Sequence, residues 1–377
     1  MEWKIPLADI DFGPEELTAV DSVLRSKWLT MGSVTQEFEQ AFAEYVGAKH
    51  AIAVTNATAG LHMACVAAGL SAGAEAIVPS LTFVATANAV RYTGATPIFA
   101  DIVSDNDLNI SVQSIERAIT PRTRAILVVH YGGYACDMPA ILELARRRDL
   151  KVIEDAAHAV GSELNGRSLG TWGDIGCYSF FSNKNMTTGE GGMVVTNDDA
   201  YARQLQLLRS HGMTSLTWDR HKGHAWSYDV VELGYNYRID EMRAALGRMQ
   251  LRKLNANNQR RRELTEVYRE ALEELAPRVV VPFEKHPGVS AAHLLPVLLP
   301  SGFSRLHFME SMKAQGIQTS VHYPPVHSFT AYGDTGMERF LPLTEEVAER
   351  EVTLPLYPAL SSDDVLTVAR AVAQSLQ

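Results

Sequence analysis

A chain of 377 residues is too long for one small core and too short for three ordinary domains. Its 46% hydrophobic and 21% charged residues exclude a disordered chain. With 34 basic against 44 acidic side chains the net charge is −10, which excludes a coat for nucleic acid and requires any anion site to be built locally. Cys65, Cys136 and Cys177 are odd in number and widely spaced, which argues for a reducing compartment and against a disulfide framework or a metal site. The opening MEWKIPLADIDFG lacks a basic stretch followed by an apolar one, and no apolar run approaches the roughly 18 residues of a membrane helix. A cytoplasmic protein without membrane contact is therefore expected.

In chain order, Pro14 opens a helix through Leu24 with acids in its first turn, and residues 35–46 carry Phe38, Phe42 and Val46 at four-residue spacing. Short apolar runs follow at 51–54, 76–79, 96–101, 124–130, 151–156 and 176–181, separated by helical segments at 58–69, 83–93, 112–118 and 137–148. Strands this short and apolar are buried on both faces, so the expected fold is α/β, a mostly parallel sheet between helices. Several runs end on a polar residue (Asn56, Asp101, His130, Asp155), and ligands of such sheets collect at the carboxyl ends of the strands. From Ile239 to Leu275 the pattern reads as one long charge-laced helix or two abutting ones. Beyond Pro277, strands in AHLLPVLL and QTSVHY, a helix near 304–315 and a closing helix at 361–375 describe a small α+β unit. The expected division is a large domain over 1–250 and a smaller C-terminal domain over 251–377.

Four segments carry chemistry. In SFFSNKNMTTGEGG, Lys184 follows an aromatic strand end and precedes small residues that let another molecule approach the backbone. Most lysines are solvated surface groups, but a desolvated amine is what a Schiff base needs, because burial lowers its pKa. In VIEDAAH, Asp155 closes a buried strand; it either caps a following helix or holds a protonated ring nitrogen, as a pyridoxal phosphate ring requires. NATAGLH places small residues at a helix start, an anion site made of free amides, to which the Ser179 hydroxyl can add. Phe83, in PSLTFVATANAV, is either core packing or an aromatic face for a flat ligand.

Together with ATPIFADI (95–102), ELGYNYRIDEMRAALG (232–247) and LPLYPAL (354–360), these segments resemble the nucleotide-sugar aminotransferases of the DegT type over nearly the whole chain. Members of that family are pyridoxal 5′-phosphate enzymes with the aspartate-aminotransferase fold, fold type I: a large domain and a small one. The resemblance implies that Lys184 carries the cofactor and that Asp155 pairs with its ring nitrogen, making these two the catalytic residues. It places Phe83 against the ring, and Thr58, Ala59 and Ser179 at the phosphate, together with Asn236, which reaches the neighbouring subunit's cofactor. His158 stands near the phenolic oxygen, where other members carry either glutamine or histidine. The implied partners are L-glutamate as amine donor, a nucleotide-linked keto sugar as acceptor, and a second copy in a homodimer with shared active sites. Pyridoxamine 5′-phosphate is the implied form of the cofactor between half-reactions.

Members that aminate C3 tend to carry a pattern like IHYPIP and glutamine after EDAA. This chain has SVHYPPVH (320–327) and His158, closer to members that aminate C4, so the implied acceptor is a 4-keto-6-deoxyhexose. His322 either contacts the sugar or merely caps a turn before Pro324. A doubly anionic nucleotide needs local cations, and Arg209, Arg220, Lys222 and Arg238 are the candidates. The rival readings are C3 amination of a 3-keto sugar, a related sugar dehydratase (in which histidine replaces the lysine) and a cofactor-binding regulatory protein without turnover. Asp105, Asp107, Asn109 and Glu116 imitate a calcium loop, but Ile110 stands where its sharp turn needs glycine. GEGG (189–192) precedes a strand, so it is no dinucleotide fingerprint, and His221 and His224 read as a surface loop with no metal.

Overall fold

The computed structural model describes residues 3–215, 227–335 and 340–377. The chain runs through α1 (Pro14–Ser26), α2 (Ser33–Val46), β1 (His50–Val54), α3 (Ala57–Ala67), β2 (Glu75–Pro79), α4 (Ala85–Tyr92), β3 (Thr96–Ala100), α5 (Val112–Ala118), β4 (Thr123–Val129), α6 (Met138–Arg148) and β5 (Lys151–Asp155). A hairpin of β6 (Glu163–Leu164) and β7 (Arg167–Ser168) leads to β8 (Ile175–Ser179), β9 (Gly192–Thr196), α7 (Asp199–Arg209) and the long α8 (Glu241–Leu275). The chain closes with β10 (Leu295–Leu298), α9 (Arg305–Ala314), α10 (Pro342–Arg350), β11 (Glu351–Leu354) and α11 (Ser362–Ser375).

Seven strands form one sheet in the order β1-β9-β8-β5-β4-β2-β3. Pairing is parallel from β3 to β8, and β9 lies antiparallel between β8 and β1. The reason is the connection: a parallel return usually needs a crossover helix, and Phe180–Gly191 contains none. That connection carries Lys184, so the one reversal in the sheet folds the lysine back over the strand ends. Alternate residues of each strand enter different cores, as a period of two demands. Ile126 and Val128 pack with Phe38, Phe42 and Tyr178, whereas Ala125 and Leu127 pack with Ile52, Leu61 and Val90.

The segment from Ile239 contains a single helix, with Asp240 capping the Arg243 amide at 2.9 Å. Gly247 is tolerated inside α8 because Phe38 occupies its side: a Cβ there would sit 2.5 Å from Phe38 Cζ. The first half of α8 packs on α1 and α2, while Leu264, Tyr268 and Leu272 join a third core with β10, β11 and α11. Ile5 belongs to that third core as well, and Leu7 N donates to Gln318 Oε1 at 2.9 Å. The expected strand at QTSVHY is not formed; Ser320 makes one bridge to Thr353, and Pro324 and Pro325 then remove the donors a ladder would need. β11, whose four residues follow α10 without a break, pairs with β10 on one edge and meets Ser320 on the other.

Helix α2 starts at Gly32, which has no side chain to cap it. The cap comes from Glu241 on α8, whose carboxylate accepts from the amides of Gly32, Val34 and Thr35 at 2.8–2.9 Å and from Thr35 Oγ1 at 2.6 Å. Four donors on one buried carboxylate, at the positive end of a helix, tie the first helices to the long one. Replacing Glu241 by alanine orphans the three amides together. The expected cost is about 2–4 kcal/mol, read as a lower urea midpoint; an unchanged midpoint would contradict the capping role.

Candidate active site

A cavity of about 440 Å³ opens at the carboxyl ends of β2, β4, β5 and β8. Its wall brings together Thr58, Phe83, Asp155, His158, Ser179, Lys184 and His322, residues spread over 264 positions of sequence (322 − 58). Asp155 ends β5 and is buried. Its Oδ2 accepts from Thr86 Oγ1 at 2.7 Å and its Oδ1 from the Ala157 amide at 3.2 Å. Burial raises the pKa of this carboxyl above the usual range, against the opposing pull of Thr86, the Ala157 amide and Lys184. No helix follows for Asp155 to cap, since residues 157–161 form turns.

Lys184 is half-buried and lines the cavity. Desolvation pushes its pKa down to about 8, and the charge of Asp155 works in the opposite direction. Three imidazoles surround the pair. Burial and the neighbouring Lys184 hold His158 and His293 well below the usual range and bring His322 to about 4, so all three are neutral near pH 7. His158 Nδ1 accepts from the Gly132 amide at 3.3 Å, and its Nε2 lies 3.0 Å from Tyr323 Oη. His322 Nδ1 lies 2.8 Å from Thr353 Oγ1.

At the other end of the cavity, α3 begins with Ala57 and Thr58. Their amides have no acceptor within the helix. The Ala59 amide is already taken by Asn56 Oδ1 at 2.8 Å, and Ala59 is buried behind the lining, so the free donors lie one turn position earlier than expected. The close approach depends on Gly192, where a Cβ would sit 2.8 Å from the Ala57 nitrogen. Ser179 stands beside this helix start, and Phe83 is 55% exposed with its ring centroid 5.9 Å from that of Tyr323. An aromatic ring left that open at a cavity mouth has a free face for a flat ligand.

Asn236 does not enter this chain's own cavity and is exposed. Arg238 is half-buried away from the lining, and its Nη1 is buried with no partner among the described residues. Arg209 is tied to Glu39 and to the Ala53 carbonyl, which removes it from the free cations. Arg220 and Lys222, with His221 and His224, lie outside the described residues. Local sequence patterns missed Thr86, Asn183, Tyr323 and His293. Thr86 could have been found one helical turn beyond Phe83, and Tyr323 beside His322, but His293 carries no local signal. Among the described residues, no group of three His, Cys, Asp or Glu side chains could hold a metal ion, and no helix is long and apolar enough to cross a membrane.

Residues 11–373 match the DegT/DnrJ/EryC1/StrS aminotransferase family. The chain is 40% identical over 379 residues to the spore coat polysaccharide biosynthesis protein SpsC of Bacillus subtilis, covering 99% of this chain and 96% of SpsC. Its fold superposes on Spr1654 of Streptococcus pneumoniae in the PLP form with a TM-score of 0.90 at 28% identity, covering 99% of both chains, and that protein is also known in a PMP form. DesI, solved in the presence of its TDP-sugar product, gives a TM-score of 0.89 at 32% identity, covering 100% of this chain and 93% of DesI.

The Lys184 amine should behave unlike every exposed lysine. In cofactor-free protein, its acylation rate is expected to rise with a pH midpoint near 8, read by mass spectrometry of the labelled peptide. Asp155→Asn should move the midpoint lower, because the charge that favours the ammonium is gone. A midpoint in the ordinary lysine range would contradict the desolvation of the amine.

Proposed function

The chain belongs to the DegT/DnrJ/EryC1/StrS aminotransferase family and is a pyridoxal-phosphate-dependent sugar aminotransferase; from that premise we propose that it moves the amino group of L-glutamate onto C4 of a nucleotide-linked 4-keto-6-deoxyhexose. The observation that carries the assignment of roles is that half-buried Lys184 and buried Asp155 line one cavity at the strand ends and each acts on the other's charge. The residues present fit the cofactor. Asp155 is a carboxyl whose ionisation burial disfavours, and a protonated ring nitrogen would supply the missing cation. The Ala57 and Thr58 amides and the Thr58 and Ser179 hydroxyls offer donors for a phosphate, with the helix dipole behind them. Asn183 Oδ1, buried in the wall without a partner among the described residues, marks a polar position awaiting a ligand donor.

Bound pyridoxal phosphate supplies an electron sink and carries the amino group between the two substrates. Lys184 Nζ would hold the cofactor, and the same amine, once free, would take up and return the proton of the donor Cα. An amine with a pKa near 8 is suited to this, because it gains and loses a proton close to neutral pH. Asp155 would hold the ring nitrogen in its protonated form, Phe83 would cover a ring face, and His158 would stand near the phenolic oxygen. For the sugar half, Lys184 runs the same proton shift in reverse while His322, in the cavity wall, contacts the sugar. A nucleotide phosphate needs a local cation, and Arg238, whose Nη1 has no partner among the described residues, is the described candidate although it lies off the cavity lining.

The assay reads the visible absorbance of the cofactor-loaded protein on adding glutamate, followed by NMR of the product from a 4-keto and a 3-keto sugar in competition. A spectral change with glutamate and amination at C4 are expected, while Lys184→Ala should lose turnover altogether. Borohydride reduction should fix the cofactor to the Lys184 peptide. Label on another lysine would refute the role of Lys184, and preference for C3 would overturn the regiochemistry alone. The rates should differ on the order of a hundredfold, because a carbonyl displaced by one ring carbon misses the near-attack position.

The functional unit proposed is a homodimer with shared sites. In support, Asn236 follows a segment with exposed Val230, Val231 and Leu233, apolar surface that a second copy would cover. Mixing Lys184→Ala with Asn236→Ala subunits should restore activity that neither variant shows alone. A fully active monomer in sedimentation would refute the shared site.

A further inference from the structure

His293 lies on the stretch entering β10, remote in sequence from every motif above, yet its ring reaches the Lys184 amine. It is 5% exposed, and its ring centroid lies 4.5 Å from that of His158. Which of its nitrogens carries the proton can be read from a chain of fixed partners. Asn258 Nδ2 donates to the Val160 carbonyl at 2.9 Å, so Asn258 Oδ1 faces Asn185 as an acceptor. Asn185 Nδ2 donates both to that oxygen and to the Ala291 carbonyl, each at 2.7 Å. The amide of Asn185 is thereby oriented, and its Oδ1 lies 2.8 Å from His293 Nδ1. An amide oxygen only accepts, so Nδ1 carries the hydrogen. In the neutral ring Nε2 is then a bare lone pair, and it lies 3.5 Å from Lys184 Nζ.

We infer that His293 is a positioning residue for Lys184: its Nε2 accepts a hydrogen of the amine and so aims the amine's own lone pair into the cavity. The inference rests on the reading that Lys184 carries the cofactor. Two backbone carbonyls, Val160 and Ala291, set two amides, and the amides set the tautomer of the histidine. Rotation of the Nζ group is thereby restricted without any charge being placed against it. A protonated ring would instead present Nε2–H to the amine and repel its ammonium form. Burial disfavours that state, and so do the surrounding groups: Lys184, His158 and His322 across the cavity and Arg261 from α8. Among the described residues, the acidic group acting on the amine itself is Asp155, with Tyr323 beyond His158. At 3.5 Å, Nε2 stands at the outer edge of hydrogen-bond distance from the amine.

The test follows the rate at which cofactor-free full-length protein captures pyridoxal phosphate, by stopped-flow absorbance. His293→Ala should slow capture about a hundredfold, the usual scale for a reacting group left unaimed. Added imidazole should restore capture, because it can donate to Asn185 and accept from Lys184 together. 1-Methylimidazole, which fills the same space but has no N–H, should fail. His293→Gln, which offers Oε1 to the amine, should capture faster than His293→Ala. In wild-type protein, nitrogen NMR of the histidines should show His293 protonated at Nδ1; this reading stands even if the alanine variant does not fold. Capture within about twofold of wild type, equal rescue by both imidazoles, or a proton on Nε2 would each overturn the inference. Those results leave the aminotransferase reading intact, whereas a wild-type protein that captures no cofactor overturns that reading and this role with it.

Discussion

The rest of the site depends on one amine being desolvated beside one carboxyl. Desolvation alone would push Lys184 further toward its neutral form; Asp155 draws it back, and the balance falls at about 8. Close to neutrality an amine can act as nucleophile in one step and as proton donor in another, which an ordinary lysine does poorly. The same desolvation explains why His158, His293 and His322 are neutral. An imidazolium beside a desolvated lysine would add a second uncompensated cation in a low dielectric.

Holding that amine in place takes three parts of the fold. The antiparallel return of β9 folds the Lys184 loop across the strand ends. Asn185, the next residue, is bonded to Asn258 on α8 and to the Ala291 carbonyl, so the long helix and the strand entry both clamp the loop. Glu241 then ties the start of α8 to α2 through four hydrogen bonds. Each hydrogen bond is worth on the order of 1 kcal/mol net, yet a buried donor left without its partner costs more than that. Such a clamp is firm because breaking one link orphans several groups together.

The cavity is chemically divided along its length. One end offers amides and hydroxyls at the start of α3, with no cationic side chain there among the described residues. The middle holds the carboxyl and the amine, and the far wall is made of histidine and tyrosine from the C-terminal part of the chain. A protein of net charge −10 can hold a phosphate this way, because helix amides supply local positive potential regardless of the overall charge.

Much of this was legible in the linear chain. The strands of the large sheet were readable because they are short apolar runs buried in it, and the polar residues at the ends of two of them, Asn56 and Asp155, line the cavity. Asp155, Ser179 and Thr58 could be named because each sits at a strand end or helix start, and Phe83 and Lys184 because each lies in the connection that follows a strand end. The sequence alone also determined the α/β class, since periodicity of two and of 3.6 is a property of neighbours in the chain. Only the tertiary structure decided the rest. The QTSVHY segment reads as a strand, but it makes a single bridge to β11 before Pro324 and Pro325 remove the donors of a ladder. Glu241 caps a helix more than 200 positions away, and His293 meets Lys184 across 109 positions (293 − 184). Contacts of that range leave no mark on the residues beside them, because a buried polar group is satisfied by whatever the fold brings within about 3 Å and not by its neighbours in the chain.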